Sequence, residues 1–132
     1  PSEYLKRKNS DLRDSGLSFQ KINYIHNLSI FFIEKGNKIE FNSASNEEIY
    51  NELITIKGIG KWTIDMFMIF TLCKIDILPL SDLGIKKGFK KLYNLNQLPS
   101  ENFMKKKSLK WSPYRTIVSY YLWNLSDDNS KV

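Results

Sequence analysis

The sequence predicts an all-α fold, and three features predict it. Apolar residues recur three and four places apart along most of the chain, the spacing that lines up one face of a helix. Serines and an aspartate stand just ahead of these runs, where their oxygens can accept the free N–H groups of a first turn. No pair of alternating runs suggests strands, and no internal repeat is present. The 132 residues, 42% hydrophobic and 14% aromatic, suffice for one core, so one domain or part of one is expected.

Ser2 to Lys8 and Ser10 to Ser15 read as two short helical pieces, each opened by a serine cap, the second closed by Gly16. Ser18 to Lys35 predicts a longer helix with Ile22, Ile25, Leu28 and Phe32 on one face, ended by Gly36. His26 lies within it, where a packed or partly exposed ring is expected rather than a catalytic one. Asn37 to Asn42 is a connection. Ser45-Asn46-Glu47-Glu48 has the form of a capping box, in which serine and glutamate each satisfy the other's backbone N–H, and a helix should run on to about Thr55.

Lys57-Gly58-Ile59-Gly60-Lys61 then interrupts two apolar segments. Two glycines around one residue let the backbone turn tightly and approach another molecule. A helix starting at about Lys61 would aim free N–H groups and a positive dipole end out of that turn, which suits a phosphate. An ordinary helix connection with a glycine stop fits the same residues.

Trp62 to Cys73 is apolar nearly all round and predicts a central buried helix with Cys73 in the core. Its polar exception, Asp65, needs a partner or water near the helix start. Lys74 to Leu80 is a loop. Asp82 or Ser81 caps a helix to about Leu92, with Ile85, Phe89 and Leu92 inward and Lys86, Lys87, Lys90 and Lys91 outward. Pro99-Ser100 opens another helix ending in Lys105-Lys106-Lys107. Ser112-Pro113 makes a capped start with proline at the first helical position, and Thr116 to Leu125 is an aromatic-rich helix containing Tyr120, Tyr121 and Trp123. Trp111 and Tyr121 are expected in the core, and residues 126–132 form a polar tail.

Net charge is +6, unevenly spread. Residues 1–56 carry 7 basic and 8 acidic side chains, residues 57–110 carry 11 and 4, and residues 111–132 carry 2 and 2. The excess sits in the window that opens with the glycine turn, the footprint of a polyanion-binding face, although a lysine-rich surface kept for solubility has the same composition. No apolar run approaches the roughly 20 residues that cross a bilayer, so no membrane partner is expected. One cysteine, Cys73, and one histidine, His26, cannot build a cysteine-rich zinc site or an iron–sulfur cluster.

Three segments carry a family resemblance: Ile56-Lys57-Gly58-Ile59-Gly60-Lys61-Trp62-Thr63, then Leu78-Pro79-Leu80-Ser81-Asp82-Leu83-Gly84-Ile85-Lys86-Lys87-Gly88, then Trp111-Ser112-Pro113-Tyr114-Arg115. In this order and with these gaps they resemble the helix–hairpin–helix DNA glycosylases, and within them the DNA-3-methyladenine glycosylase II, alkylation-repair type. Ser15 to Lys21 also resembles that family's link into the helices before the hairpin. The resemblance covers about residues 1–125, which would form the C-terminal portion of the catalytic domain, and it implies further helices upstream of Pro1.

The family's catalytic aspartate falls on Asp82, implying a carboxylate that stabilises positive charge on the sugar as the base leaves and orients the attacking water. A plain helix cap is the competing role for Asp82, and the two are compatible only if one oxygen stays free. Trp62 occupies the place of the Schiff-base lysine of bifunctional members, which implies monofunctional hydrolysis. Lys61, one residue earlier, is turned about 100° around the helix. Trp62, Met66 and Trp123 would line the base pocket, and Met66 stands where the family often has tyrosine, which leaves the base preference open. Lys57, Gly58, Ile59, Gly60 and Lys61 would contact DNA. The backbone carbonyls of Ile54, Ile56 and Ile59 would hold a monovalent cation, Na+ or K+, with no other cofactor required and no iron–sulfur cluster.

The implied activity is excision of alkylated purines, 3-methyladenine and 7-methylguanine, from duplex DNA by base flipping, by a monomer located in the bacterial nucleoid or the eukaryotic nucleus. Two alternatives stay open. A non-catalytic helix–hairpin–helix DNA-binding module accounts for the glycines and lysines but not for Asp82 or Trp123. A basic helical protein-interaction domain accounts for charge and amphipathicity but not for the hairpin.

Overall fold

The structure, a computed structural model, describes residues 1–127, and among them every regular element is helical. The chain divides into two compact units, Pro1–Gly60 and Lys61–Val132. The first contains α1 (Ser2–Leu5), α2 (Asn9–Asp14), α3 (Phe19–Glu34), a 3-10 turn at Gly36–Lys38 and α4 (Asn46–Leu53). The second contains α5 (Lys61–Phe70), α6 (Leu83–Leu92), α7 (Glu101–Ser108), a 3-10 turn at Leu109–Trp111 and α8 (Arg115–Asp127).

Local signals account for most helix ends. Ser18 accepts the Lys21 N–H, Ser100 accepts the Phe103 N–H, and Ser45 and Glu48 form the reciprocal capping box. Gly16, at φ +88°, closes α2 with its N–H on the Arg13 carbonyl and the Leu17 N–H on Leu12. Asn94, at φ +50°, closes α6 in the same way through Lys91 and Lys90. Ser2 and Ser10 do not cap: the N-cap residues of α1 and α2 are Pro1 and Lys8, and Ser10 donates to Asp11 instead.

In the first unit Ile22, Ile49, Leu53 and Ile56 are buried. The second buries Ile64, Met68, Ile69 and Ile77 and a cluster of Ile85, Phe89, Met104 and Leu122, with Trp111 packed on that cluster at a ring separation of 5.1 Å from Phe89. Each such side chain contributes roughly 1.5–3 kcal/mol by leaving water, and the cluster holds α6 against α8.

Several expectations are corrected. The helix after the glycine turn stops at Phe70, where the Thr71 and Leu72 N–H groups both return to the Phe67 carbonyl. Cys73 follows at φ +51° and is exposed rather than in the core. Leu92 and Tyr121 are 49% and 71% exposed, each lying on the outer side of its helix. Pro113 follows a cis peptide bond and stands two residues ahead of α8, so it is not the first helical residue. Ser126 and Asp127 belong to α8, and the rest of the expected tail, residues 128–132, lies outside the described residues. No described helix is long and apolar enough to cross a membrane.

Candidate active site

Asp82 stands where the loop after α5 enters α6. Its backbone is extended and its Oδ1 accepts the Ile85 N–H at 2.9 Å, so it caps the helix. Oδ1 also accepts the Trp123 Nε1–H at 2.8 Å, and Oδ2 accepts the Trp62 Nε1–H at 2.6 Å. Indoles brought in from α5 and α8 contribute nothing to a cap. Burial is the largest influence on this carboxyl and pushes its pKa up, but the Ile85 N–H, the two indoles and the Gly84 N–H outweigh it and hold the group below the ordinary carboxylate range. Asp82 is therefore an anion at neutral pH. Neither oxygen is free of donors, contrary to the condition set by sequence. The Trp62 indole holds Oδ2, so a reacting water would share that oxygen with it.

Around this anion the rings form an open wall. Phe70 stacks on Trp123 with centroids 6.0 Å apart, and Tyr120 meets both edge-on, 6.0 Å from Phe70 and 5.8 Å from Trp123. Phe70 is 57% exposed, Trp62 50% and Tyr120 45%, high values for rings of this size. Trp62, Met66 and Phe70 follow one another at four-residue intervals along one stripe of α5, with Met66 half-buried. Sequence reading missed Phe70 and Tyr120. The four-residue spacing from Trp62 and the position one turn before Trp123 were the signals that could have found them.

Two glycines bring α6 close enough to α8 for the Trp123 bond. A Cβ on Gly84 would lie 2.8 Å from Trp123 Cδ1 and 3.1 Å from Asp82 Oδ1, and a Cβ on Gly88 would lie 2.3 Å from the Leu122 carbonyl oxygen. Two more carboxylates of this unit are shifted from the ordinary range. Asp76 accepts from Arg115 Nε at 2.6 Å and Nη2 at 2.8 Å, and these bonds lead the causes that hold its pKa down to about 2. Asp65 goes the other way: burial, reinforced by Asp82 and Glu101 and opposed by Lys61, lifts it to about 7. The Lys61 charge one turn earlier favours the Asp65 anion but does not outweigh burial.

The glycine turn closes the first unit. The Ile59 N–H donates to the Ile56 carbonyl at 3.0 Å, and Asn27 Nδ2 donates to the Lys57 carbonyl at 3.1 Å, a tie from α3 that sequence did not suggest. Gly58 sits at φ +103°, and a Cβ there would fall 2.2 Å from Tyr24, so the chain itself demands glycine. Gly60 differs, because a Cβ there meets no atom within 4 Å. Lys57, Gly58, Gly60 and Lys61 are exposed, Ile59 is half-buried, and α5 begins at Lys61. Among the described residues no group of three His, Cys, Asp or Glu side chains could hold a metal ion. The Ile54, Ile56 and Ile59 carbonyls offer neutral hard oxygens, a donor set that fits an alkali cation better than zinc.

An anion set among aromatic faces suits a planar cationic ring, which the ring quadrupoles attract and the carboxylate complements. The same carboxylate would stabilise positive charge developing on a neighbouring carbon.

No family model matches the chain. It is 36% identical over 117 residues to DNA-3-methyladenine glycosylase 1 of Schizosaccharomyces pombe, covering 87% of this chain and 51% of that protein. Among solved structures it resembles the S. pombe 3-methyladenine DNA glycosylase Mag1 in complex with abasic DNA, with a TM-score of 0.80 and 32% identity over 94% of this chain and 61% of that one. It also resembles a DNA-3-methyladenine glycosidase of Bacillus halodurans, with a TM-score of 0.85 and 30% identity over 97% of this chain and 59% of that one. The chain spans about half the length of the curated relatives it matches.

Proposed function

The chain belongs to the helix–hairpin–helix DNA-3-methyladenine glycosylase family, and from that premise we propose that it hydrolyses the N-glycosidic bond of alkylated purines, 3-methyladenine and 7-methylguanine, flipped out of duplex DNA. The convergence of Trp62 and Trp123 on Asp82 carries the reading. A purine methylated at N3 or N7 is a cation in DNA, so the exposed rings of Trp62, Phe70 and Tyr120, with the half-buried Trp123, favour it over a neutral base by roughly 0.5–2 kcal/mol. As the bond to the base lengthens, positive charge moves onto the sugar, and the Asp82 carboxylate stabilises that state more than the ground state. Oδ2, shared with the Trp62 indole, would orient the water that completes the substitution.

The group that α5 sends to Asp82 is an indole rather than an amine. This supports hydrolysis alone, with no covalent enzyme–sugar intermediate. The exposed Lys57, Gly58, Gly60 and Lys61, with half-buried Ile59 shaping the turn between the glycines, would contact phosphates without reading bases. The Ile54, Ile56 and Ile59 carbonyls would hold a monovalent cation that braces this turn. Hydrolysis by a carboxylate and water calls for no other cofactor. We place the protein as a monomer wherever the cell keeps its DNA, in a nucleoid or a nucleus.

Release of free 3-methyladenine from methylated duplex DNA tests the proposal. Duplex binding without any release of base would reduce the chain to a DNA-binding module, a role for which the Trp62–Asp82–Trp123 arrangement has no use.

A further inference from the structure

Residues 74–77 are tied to the first turn of α8 one after another. The Lys74 carbonyl accepts from Thr116 Oγ1 at 2.7 Å, and the Ile75 carbonyl accepts the Thr116 N–H at 3.0 Å. The Ile77 N–H donates to Thr116 Oγ1 at 3.0 Å, and the Ile77 carbonyl accepts from Ser119 Oγ at 3.1 Å. At the centre, the Asp76 carboxylate takes the Arg115 fork at 2.6 and 2.8 Å, the Arg115 backbone N–H at 3.2 Å and the Ser112 hydroxyl at 2.8 Å.

Arginine is a poor first residue for a helix, because the positive dipole end repels it. Asp76 cancels that by accepting a free N–H of the first turn and the guanidinium together, in a two-point geometry that neither lysine nor asparagine can copy. The clasp is also one end of a closed frame. From Asp76 the chain runs through Pro79 to Asp82, and from Arg115 α8 runs to Trp123, where the frame closes again through the Trp123–Asp82 bond at 2.8 Å.

We propose that the Asp76–Arg115 clasp is a positioning device that sets the Trp123–Asp82 hydrogen bond, so that both residues act on the reaction without touching DNA. Arg115 and Asp76 fix where α8 and the Asp82 loop start relative to each other. A misplaced start carries through eight residues of rigid helix to the indole. The catalytic part of this inference rests on the glycosylase reading. The geometric part does not.

The test has two arms. The three tryptophans give three indole N–H signals in nitrogen-15 spectra; Asp82→Asn moves the two that bond its carboxylate, and Trp62→Phe removes one of these and so assigns the other to Trp123. Asp76→Asn and Arg115→Lys are each expected to move the Trp123 signal in the direction that Asp82→Asn moves it. The milder Ser112→Ala, which removes one bond from the same carboxylate, is expected to move it less and serves if the other two fail to fold. A Trp123 signal that stays in place in the folded variants overturns the proposal. In the second arm, excision of 3-methyladenine is followed with protein in excess. The expected result is a drop of at least about tenfold in the rate constant with abasic-duplex affinity within about twofold, whereas a purely structural pair would lower melting temperature and leave the rate constant unchanged, which also overturns the proposal. A wild-type protein that releases no base removes the proposed function, and the spectra still decide the clasp.

Discussion

Gly88 and Leu122 meet backbone to backbone: a Cβ added at residue 88 would lie 2.3 Å from the Leu122 carbonyl oxygen. Real side chains essentially never approach so closely, and a carbonyl inside a helix cannot swing away. Gly88→Ala is therefore expected to push α6 from α8 at an overpacking cost of about 1–3 kcal/mol, partly offset by the roughly 1 kcal/mol that alanine adds to helix propensity. Thermal melting measures it. A stabilised Gly88→Ala would show that the two helices do not pack as described.

The hairpin is best probed at Gly60. Gly58→Ala must adopt a left-handed backbone, at about 1–2 kcal/mol, and collide with Tyr24, so it damages the fold before it reports on a ligand. A Cβ at residue 60 meets open space, so Gly60→Val starts without a clash. It is expected to leave circular dichroism and melting near wild type and to weaken salt-sensitive binding to undamaged duplex by tenfold or more. Wild-type affinity in that variant would take the turn out of the DNA interface.

Asp65 and Asp76 predict opposite pH dependences. Asp65 releases its proton near 3.8 in the unfolded chain and at about 7 in the folded one. Its contribution to stability is full below 3.8 and is lost as pH rises to about 7. Asp76, at about 2 against 3.8, contributes above 3.8 and loses that contribution as pH falls toward 2. Asp65→Asn is expected to raise the melting temperature above neutrality and to leave it near wild type in acid. Parallel pH profiles for the variant and the wild type would place this carboxyl in water.

Monofunctional chemistry predicts an intact abasic strand, nicked only after alkali, and no adduct trapped by borohydride. A trapped adduct that disappears in Lys61→Ala would assign the lyase role to the lysine beside Trp62.

What sequence could reach depended on the range of the interaction. Caps act over three residues, so Ser45 with Glu48, Ser18, Ser100 and Asp82 were legible, and the glycine turn was legible from its own spacing. The end of α5 was not, because Thr71 and Leu72 are apolar enough to extend a pattern that backbone bonds to Phe67 cut short. Leu92 and Tyr121 look like core residues by type, yet lie outward because α6 and α8 each bury only one side. Asp82, Trp62 and Trp123 were nameable only through the family resemblance, and their hydrogen bonds span 20 and 41 residues. Asp76 and Arg115, 39 residues apart, form no local pattern at all.

The central claim rests on the charge of Asp82. Asp82→Asn keeps an oxygen for the Ile85 N–H and the Trp123 indole but turns an NH2 toward the Trp62 N–H, a mismatch that half-exposed Trp62 can relieve by turning to water at a cost of about 1 kcal/mol. It removes the negative charge entirely, a loss worth on the order of 3 kcal/mol, or about a hundredfold in rate, in a preorganised site. Single-turnover release of 3-methyladenine from duplex DNA is the deciding measurement. The account predicts that Asp82→Asn falls at least about a hundredfold in rate while binding abasic duplex as tightly as wild type or more so. A wild-type rate in a folded Asp82→Asn protein would contradict it and leave Asp82 as the cap of α6.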